Sequence, residues 1–481
     1  MEKKSFSAKL DAFFHVSERK STVKTELSAG LVTFLAMCYI LMVNANFFAS
    51  LPEVSYGAMY VATGIAAVIG TVLTGLMANL PFAQASGMGL NAFVVYTLCF
   101  GLGFTYSNAM VMVLLDGVVF IIMTVTGLRK KIFDAIPSAV RHAITVGIGL
   151  FIVLIGLSGT VLQKTDGGMP ITSMFNFDVI SSSFAGAQQL LIALCLFAGF
   201  LAIGIMGKKN VKGSVLFGIL ISTVLYYIAG LFIKVGGTSI TAAAFSGLNL
   251  NPLPAFKAWA NEAFLQVFTK GFDFSAYIAN NSVVSLIGAI VSTVFAFAMC
   301  DMFDTIGTMY GTAARGGLLD ENGDIPNFNE GMLADAIATC TGAIIGTSTV
   351  TTFVESASGV AEGGRTGLTA ITTAVLFLIA LFFSPITALI PGCATSAALC
   401  YVGVLMMANV KDVDWLNLEE AIPAFVTMSM TVFGYSISKG IGLGLISFVI
   451  MELCLGKGKS VKVTTYILAT LFAALLLLTS M

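Results

Sequence analysis

The chain has 481 residues, of which 57% are hydrophobic and 10% are charged, whereas a soluble domain carries about 25% charged residues. With 49 glycines and a mean hydropathy of +0.95, this composition predicts a polytopic helical membrane protein and excludes a soluble one. The formal net charge of −1 provides no basic surface for nucleic acid. Two histidines and eight cysteines without a CxxC pair support neither a zinc site nor a disulfide framework, so we expect no metal and no cofactor.

Residues 1–26 are predicted to form a cytoplasmic segment that is retained. The string MEKKSFSAKLDAFFHVSERKSTVKT is polar and basic. It lacks the apolar run followed by a small-residue cleavage site that is typical of a signal peptide. The first membrane helix is therefore expected to follow this segment directly.

The first half of the chain contains a series of long apolar segments. A helix needs about 20 apolar residues to span a bilayer. Segments that satisfy this criterion lie near 27–49, 57–79, 107–127, 139–162, 189–206 and 212–234. A shorter segment, 85–100, begins in the glycine-rich string QASGMGLNAF and takes third place among the crossings. Residues 236–281 are the longest polar connection, which we interpret as an outer loop.

The second half repeats this plan. Its apolar segments lie near 283–310, 331–346, 366–389, 392–410, 419–437 and 440–456. A short segment, 351–361, again takes third place. Seven crossings per half is an odd number, so the second half enters with inverted topology, as in many secondary transporters. We therefore predict an all-α membrane protein with a 7+7 inverted repeat, about 14 spans and short, broken third and tenth segments. Residues 461–481 form an extra apolar helix, either a fifteenth span or an interfacial helix.

Basic residues in the short loops predict the orientation. If the short third segment counts as a crossing, three basic clusters fall on one side, which the positive-inside rule assigns to the cytoplasm. The clusters are Lys3, Lys4, Arg19, Lys20 and Lys24; Arg129, Lys130 and Lys131; and Lys208, Lys209 and Lys212. We expect a multi-pass protein of the cell (plasma or inner) membrane with a cytoplasmic N-terminus.

Ionisable residues within spans are costly to bury and are therefore functional candidates. Asp301 and Asp304 stand three residues apart in the eighth span, so both are expected to project from one helix face. Glu355 lies in the string TTFVESASG, whose small and hydroxyl residues suit backbone that leaves helical geometry to line a cavity. Neither Asp304 nor Glu355 has an Arg or Lys nearby in sequence to neutralise it, which favours a functional role for both. For Asp301 a functional and a structural role are both open.

Other ionisable residues within the spans have simpler explanations. Asp116 either acts in function or bonds a neighbouring helix. Asp335 opens the ninth span and is expected to be a packing or hinge residue. Arg141 and His142 lie near the start of the fifth span, where their long side chains can extend to the interface.

Asn91 occupies the place in the first half that corresponds to Glu355 in the second. An amide offers both donors and an acceptor, which suits the mixed edge of a heterocycle, although it could equally cap a broken helix. Aromatic residues in membrane helices are usually packing residues, but three of them could supply stacking faces: Tyr39, Phe303 and Phe353.

These residues lie in strings that resemble a known family. The strings are QASGMGLNAF (84–93), FDTIGTMYGTA (303–313), GMLADAIATCTGAIIGTSTVTTFVESASGV (331–360) and GGRTGL (363–368). They resemble the AzgA-like purine permeases (adenine, guanine and hypoxanthine permeases) of the nucleobase–cation symporter group, whose wider fold is that of the uracil permeases. The resemblance assigns substrate binding to Asp304, Glu355 and Asn91. Several relatives carry Glu where this chain has Asp304.

The resemblance also implies two domains and a transport cycle. A core domain (27–127 and 283–389) carries the substrate against a gate domain (139–234 and 392–456), often in a homodimer. The expected function is uptake of a neutral purine base, with protons as the coupling ion and with Asp301 or Glu355 as the proton-coupling carboxylate. Phe303 and Phe353 complete the expected binding site.

Two other classes of protein compete with this interpretation. An integral-membrane enzyme acting on a phosphorylated lipid could use the carboxylates as a metal site: Asp301, Asp304, Asp335 and Glu355. Such chemistry needs clustered Arg or Lys for the phosphates, and Arg141 is the one candidate within the spans. A passive channel is the second alternative, and it would not accumulate substrate against a gradient.

Overall fold

The computed structural model describes residues 6–128, 132, 135–158, 184–235, 237–246, 248–321 and 324–480. The predicted basic cluster Arg129, Lys130 and Lys131, together with Lys3 and Lys4, lies outside the described residues, as does the end of the predicted fifth span after residue 158.

The first half of the chain is helical, with three short strands. Its helices are α1 (Phe6–Phe14), α2 (Val23–Met37), α3 (Ile40–Phe48), α4 (Tyr56–Leu73), α5 (Met88–Ala92), α6 (Tyr106–Val125), α7 (Ser138–Leu157), α8 (Phe184–Lys208) and α9 (Ser214–Gly230). Helices α4 and α5 continue as π-helical segments, Thr74–Ala78 and Phe93–Gly101. The strands are β1 (Gln84–Ser86), β2 (Lys234–Val235) and β3 (Thr238–Ser239).

Short helices fill the predicted outer loop, and long ones follow it. The short helices are α10 (Ile240–Phe245), α11 (Leu253–Ala258), α12 (Gln266–Thr269) and α13 (Ser275–Ile278). The remaining elements are α14 (Val283–Gly316), α15 (Phe328–Ile345), β4 (Val350–Thr352), α16 (Ser356–Ala361), α17 (Gly367–Ala380), α18 (Ser384–Thr387), α19 (Gly392–Met407), α20 (Leu418–Phe433), α21 (Ile437–Cys454) and α22 (Val463–Ser480).

Side-chain caps begin several of the long helices. Thr22, Ser55 and Ser282 each accept a hydrogen bond from the backbone N–H three residues ahead. Thr105 does the same and forms a capping box with Asn108 at the start of α6. Such caps satisfy N–H groups that have no partner within the helix, so the local sequence fixes where these helices begin.

Nine helical segments of the described part are long and apolar enough to cross a membrane: Val23–Phe48, Tyr56–Ala78, Tyr106–Val125, Ser138–Leu157, Gln188–Lys208, Val283–Ala314, Gly367–Thr387, Gly392–Asp412 and Ile437–Cys454. Shorter apolar helices include Met88–Gly101 and Ser214–Gly230. The predicted helical membrane fold is confirmed, whereas the number of 14 spans and the inverted repeat stay predictions.

The helices pack mainly in two groups. Within the residues of the predicted core domain, α2 packs on α16 and α17, α4 packs on α15 and α17, and α6 packs on α14 and α15. Within the predicted gate domain, α7 packs on α19 and α20, and α8 packs on α9 and α19. The extra helix α22 packs on α14 and α21, so it bridges the two groups.

Small residues allow close helix approach in the core group. A Cβ built at Gly117 of α6 would lie 2.6 Å from Cys340 Sγ and 2.8 Å from Cys340 N on α15. A side chain at this position would therefore push the two helices apart, in keeping with the use of small residues at contacts between membrane helices.

The two broken segments cross each other as an antiparallel pair of strands. β1 pairs with β4 in the register Gln84↔Thr352, Ala85↔Thr351 and Ser86↔Val350. Gly346, at φ +97°, ends α15 and turns the chain toward β4, a conformation that glycine adopts without steric cost. Short strands were not predicted from the sequence, because hydroxyl-rich runs of three residues carry no strand periodicity of their own.

Candidate functional site

The crossed strands determine where Asn91 and Glu355 lie. Asn91 is in α5, which begins two residues after β1, and Glu355 immediately precedes α16, three residues after β4. The Gly87 N–H donates to the Thr349 carbonyl at 3.0 Å, and the Phe353 N–H donates to the Ala83 carbonyl at 3.0 Å. These bonds extend the strand pairing by one residue pair at each end. The paired backbone therefore determines the positions at which α5 and α16 begin.

The Asn91 amide is fully buried, and its oxygen and its nitrogen differ in their hydrogen bonds. Its Oδ1 accepts hydrogen bonds from Ser86 Oγ at 2.7 Å and from Ser348 Oγ. Its Nδ2 has no hydrogen-bond partner among the residues that the structure describes. An unmet buried donor costs about 1–3 kcal/mol, so this N–H is available for an acceptor on a ligand.

Glu355 is oriented by a tyrosine that lies 316 residues earlier in the chain. Tyr39 Oη donates to Glu355 Oε1 at 2.6 Å. Tyr39 is fully buried at the break between α2 and α3, whereas Glu355 is half-buried. Sequence alone indicates Tyr39 only as a possible stacking ring, because no local pattern indicates a contact across that separation.

Asp304 supplies a second acceptor beside Glu355. It is half-buried on α14, and its carboxyl group is close enough to that of Glu355 for the two to repel each other electrostatically. Phe303 and Phe353 are each 6% exposed, so their rings are packed almost entirely inside the protein. Asp304 and Glu355 are the two carboxyl residues for which the sequence favours a functional role.

Asp301 lies one turn from Asp304 but points into a different environment. It is fully buried, and Thr339 Oγ1 of α15 lies 3.5 Å from its Oδ2. Thr305 Oγ1 lies 3.4 Å from Asp301 Oδ1 and 3.1 Å from Asp335 Oδ2. The Thr305 hydroxyl has one proton to donate, so the two carboxyl groups compete for it.

Asp335 belongs to the same buried polar network. Gln84 Nε2 of β1 donates to Asp335 Oδ1 at 3.1 Å and to Thr352 Oγ1 of β4 at 3.3 Å. The network therefore connects α14 and α15 with the crossed strands. Asp335 therefore accepts hydrogen bonds from β1 and from Thr305 of α14.

Three ionisable candidates lie outside the crossed strands. Asp116 is fully buried in α6, where its charge acts on Cys300 and Cys340. Arg141 and His142 are half-buried in α7, in the gate group.

The site faces the gate group. Tyr401 of α19 is close enough to Glu355 for an electrostatic interaction. A Cβ built at Gly89 of α5 would lie 2.5 Å from Ile148 of α7. Asn91 and Glu355 therefore lie on the surface of the core group that contacts the gate helices.

Two carboxyl acceptors and one amide donor fit a neutral ligand that has both N–H groups and acceptors. Within the described ranges, no group of three or more His, Cys, Asp or Glu side chains is arranged to hold a metal ion. The ion pairs found in that part of the chain, such as Lys212–Glu362 and Lys457–Glu419, involve neither Asp304 nor Glu355. The carboxylates of Asp304 and Glu355 would repel an anion.

A helical membrane fold with its polar site between two crossed, broken segments is that of a membrane transport protein. The chain belongs to the Permease family (Xan_ur_permease), which it matches over residues 24–477. It is therefore a multi-pass permease and not an enzyme, which removes the alternative of a lipid-modifying metalloenzyme.

Named relatives and solved structures agree with this assignment. The adenine permease AdeQ of Escherichia coli is 34% identical over 478 residues, which cover 98% of this chain and 97% of the relative. The guanine/hypoxanthine permease PbuO of Bacillus subtilis is 35% identical over 474 residues, which cover 95% of this chain and 98% of the relative. The predicted family resemblance is thereby confirmed.

Two transporters of known structure share the fold. The transmembrane domain of the cyanobacterial bicarbonate transporter BicA superimposes with a TM-score of 0.60 at 16% identity, covering 86% of this chain and 97% of that one. SLC26A9 gives a TM-score of 0.59 at 13% identity, covering 95% of this chain and 70% of that one. At these identities the likeness concerns the fold alone.

Proposed function

We propose that this permease imports free purine bases, namely adenine, guanine or hypoxanthine, across the cell membrane. The observation that carries the proposal is the electrostatic interaction of Asp304 with Glu355, together with a buried Asn91 N–H that has no partner among the described residues. A purine presents ring N–H groups next to ring nitrogen or carbonyl acceptors. The carboxyl groups can accept from the former, and the Asn91 N–H can donate to the latter. The names of the relatives, adenine permease and guanine/hypoxanthine permease, support the same substrate class.

Uptake is coupled to protons. A membrane potential of 100 mV acting on one proton supplies about 2.3 kcal/mol, which corresponds to roughly fifty-fold accumulation of a neutral substrate. Glu355 and Asp301 are the candidate proton-coupling carboxylates. Asp301 is supported by its place beside Thr305, whose hydroxyl lies between two buried carboxyl groups.

The transport cycle moves the core domain against the gate domain. The core domain carries Asp304, Glu355 and Asn91 from one side of the lipid bilayer to the other, and Phe303 and Phe353 flank the base. The chain has a cytoplasmic N-terminus and 14 spans in an inverted 7+7 repeat, and it functions as a homodimer. The packing of helices in two groups supports this division.

The test is uptake of radiolabelled adenine, guanine and hypoxanthine by cells that lack their own purine permeases. We expect accumulation that a protonophore abolishes, and no competition by a nucleoside monophosphate. Accumulation driven by a sodium gradient would overturn the proton assignment. Equilibration without accumulation would indicate a passive channel, and inhibition by a nucleotide without inhibition by any free base would overturn the substrate class.

A further inference from the structure

We propose that Tyr39 is a positioning residue that fixes the Glu355 carboxylate for substrate binding. This inference rests on the proposed function of the site, since it assumes that Glu355 accepts a hydrogen bond from the base. Tyr39 occupies one oxygen of that carboxylate, and the second oxygen is thereby presented to the ligand in one orientation.

The local backbone makes Tyr39 a rigid donor. The residue stands between the end of α2 at Met37 and the start of α3 at Ile40, and it is fully buried. A fully buried ring changes rotamer less readily than an exposed one, because protein interiors are closely packed. Glu355 is half-buried and has three rotatable side-chain bonds, so without a partner it would populate several orientations.

The geometry of the contact is that of a strong hydrogen bond. The Tyr39 Oη to Glu355 Oε1 distance is 2.6 Å, within the range of about 2.5–2.7 Å for a hydroxyl donating to an ionised oxygen. Holding a binding group in its bound orientation lowers the entropy lost on association. The contact therefore favours a ligand that places an N–H opposite the remaining oxygen.

Two other buried tyrosines of the core group donate to backbone carbonyls, which is a structural role. Tyr60 is 1% exposed and its hydroxyl donates to the Ala380 carbonyl at 2.9 Å. Tyr106 is equally buried and donates to the Gly346 carbonyl. Both tie one backbone segment to another, whereas Tyr39 donates to the side chain of a site residue. Packing alone does not require that choice of acceptor.

The experiment compares Tyr39→Phe with Tyr60→Phe. Each substitution removes one buried hydroxyl and keeps the ring. Without the Tyr39 hydroxyl, the Glu355 carboxylate has to be ordered when the ligand binds, which lowers affinity. We expect Tyr39→Phe to raise KM for purine uptake about 10-fold or more while maximal uptake, normalised to protein in the membrane, stays within about twofold. Tyr60→Phe should leave KM within about twofold.

A ligand-free measurement tests the contact itself. The carboxylate stretching bands of Glu355, identified by infrared difference spectra against Glu355→Gln, should shift in Tyr39→Phe and not in Tyr60→Phe. If Tyr39→Phe does not fold, 3-fluorotyrosine at position 39 provides a stronger donor and should shift the same bands in the opposite direction. Unmoved bands, or an unchanged KM in Tyr39→Phe, would overturn the proposal. If the wild type transports no purine but the bands shift as expected, the substrate assignment fails and the positioning contact stands.

Discussion

Gln84 and Asp335 join the first broken segment to a membrane helix of the second half. Gln84 Nε2 in β1 donates to Asp335 Oδ1 in α15 at 3.1 Å, and both side chains are fully buried. Because the same amide also reaches Thr352 of β4, the contact holds both crossed strands against α15. The contact thereby helps to position the segments that carry the candidate site residues Asn91 and Glu355.

The first prediction concerns the stability contributed by Asp335. Asp335→Ala removes one of the two acceptors of the Gln84 amide and an acceptor of the Thr305 hydroxyl in a buried region, and an unmet buried group costs about 1–3 kcal/mol. We therefore expect Asp335→Ala to lower the melting temperature of the detergent-solubilised protein. The exposed Asp412 provides the control, and Asp412→Ala should melt like the wild type. Equal melting of the two variants would contradict the network.

The second prediction concerns the paired acceptors. Glu355→Gln and Asp304→Asn each keep the shape of the side chain but replace an oxygen acceptor with an N–H donor. A base N–H would then face another donor, so we expect each variant to lose measurable purine uptake while still reaching the membrane. Glu330→Gln, at an exposed position of α15, is the matched control and should transport normally. Near-normal affinity in Glu355→Gln or Asp304→Asn would place the pocket elsewhere.

The third prediction concerns the unpaired donor of Asn91. Asn91→Asp keeps an oxygen for Ser86 Oγ and Ser348 Oγ but removes the Nδ2 donor. Losing one ligand hydrogen bond of about 1.4 kcal/mol weakens binding about tenfold, and the added negative charge acts in the same direction. Equilibrium binding of radiolabelled purine should therefore weaken about tenfold or more in Asn91→Asp. Ser348→Ala keeps Nδ2 and serves as the comparison, for which we expect the smaller loss.

The sequence predicted the membrane class and provided the candidate site residues, because both depend on local features. Long apolar runs indicate spans by length alone. Asp304 and Glu355 stood out as carboxylates in small-residue segments without a neighbouring cation. The choice of Asn91 at the corresponding point of the first half rested on the predicted repeat.

The sequence did not predict the contacts between distant segments. The pairing of β1 with β4 depends on residues that lie more than 260 positions apart, and neither strand has its own periodicity. The Tyr39–Glu355 contact and the different environments of Asp301 and Asp304 also depend on residues that are distant in sequence. A separation of three residues predicts a shared helix face, but the 34-residue helix α14 contacts several neighbours. One turn therefore separates Asp304, which interacts with Glu355, from Asp301, which lies against α15.

The fourth prediction concerns coupling. If Asp301 is the proton-coupling residue, Asp301→Asn should still exchange labelled purine across the membrane, because Asp304 and Glu355 are intact. It should no longer accumulate purine when a pH gradient is imposed across proteoliposomes, because the amide cannot take up and release the coupling proton. Thr339→Val, which removes the hydroxyl beside Asp301 and keeps the carboxyl, is the matched variant and should retain accumulation. If Asp301→Asn accumulates purine like the wild type, while accumulation depends on Glu355, the coupling role belongs to Glu355 and Asp301 serves the packing of α14 against α15.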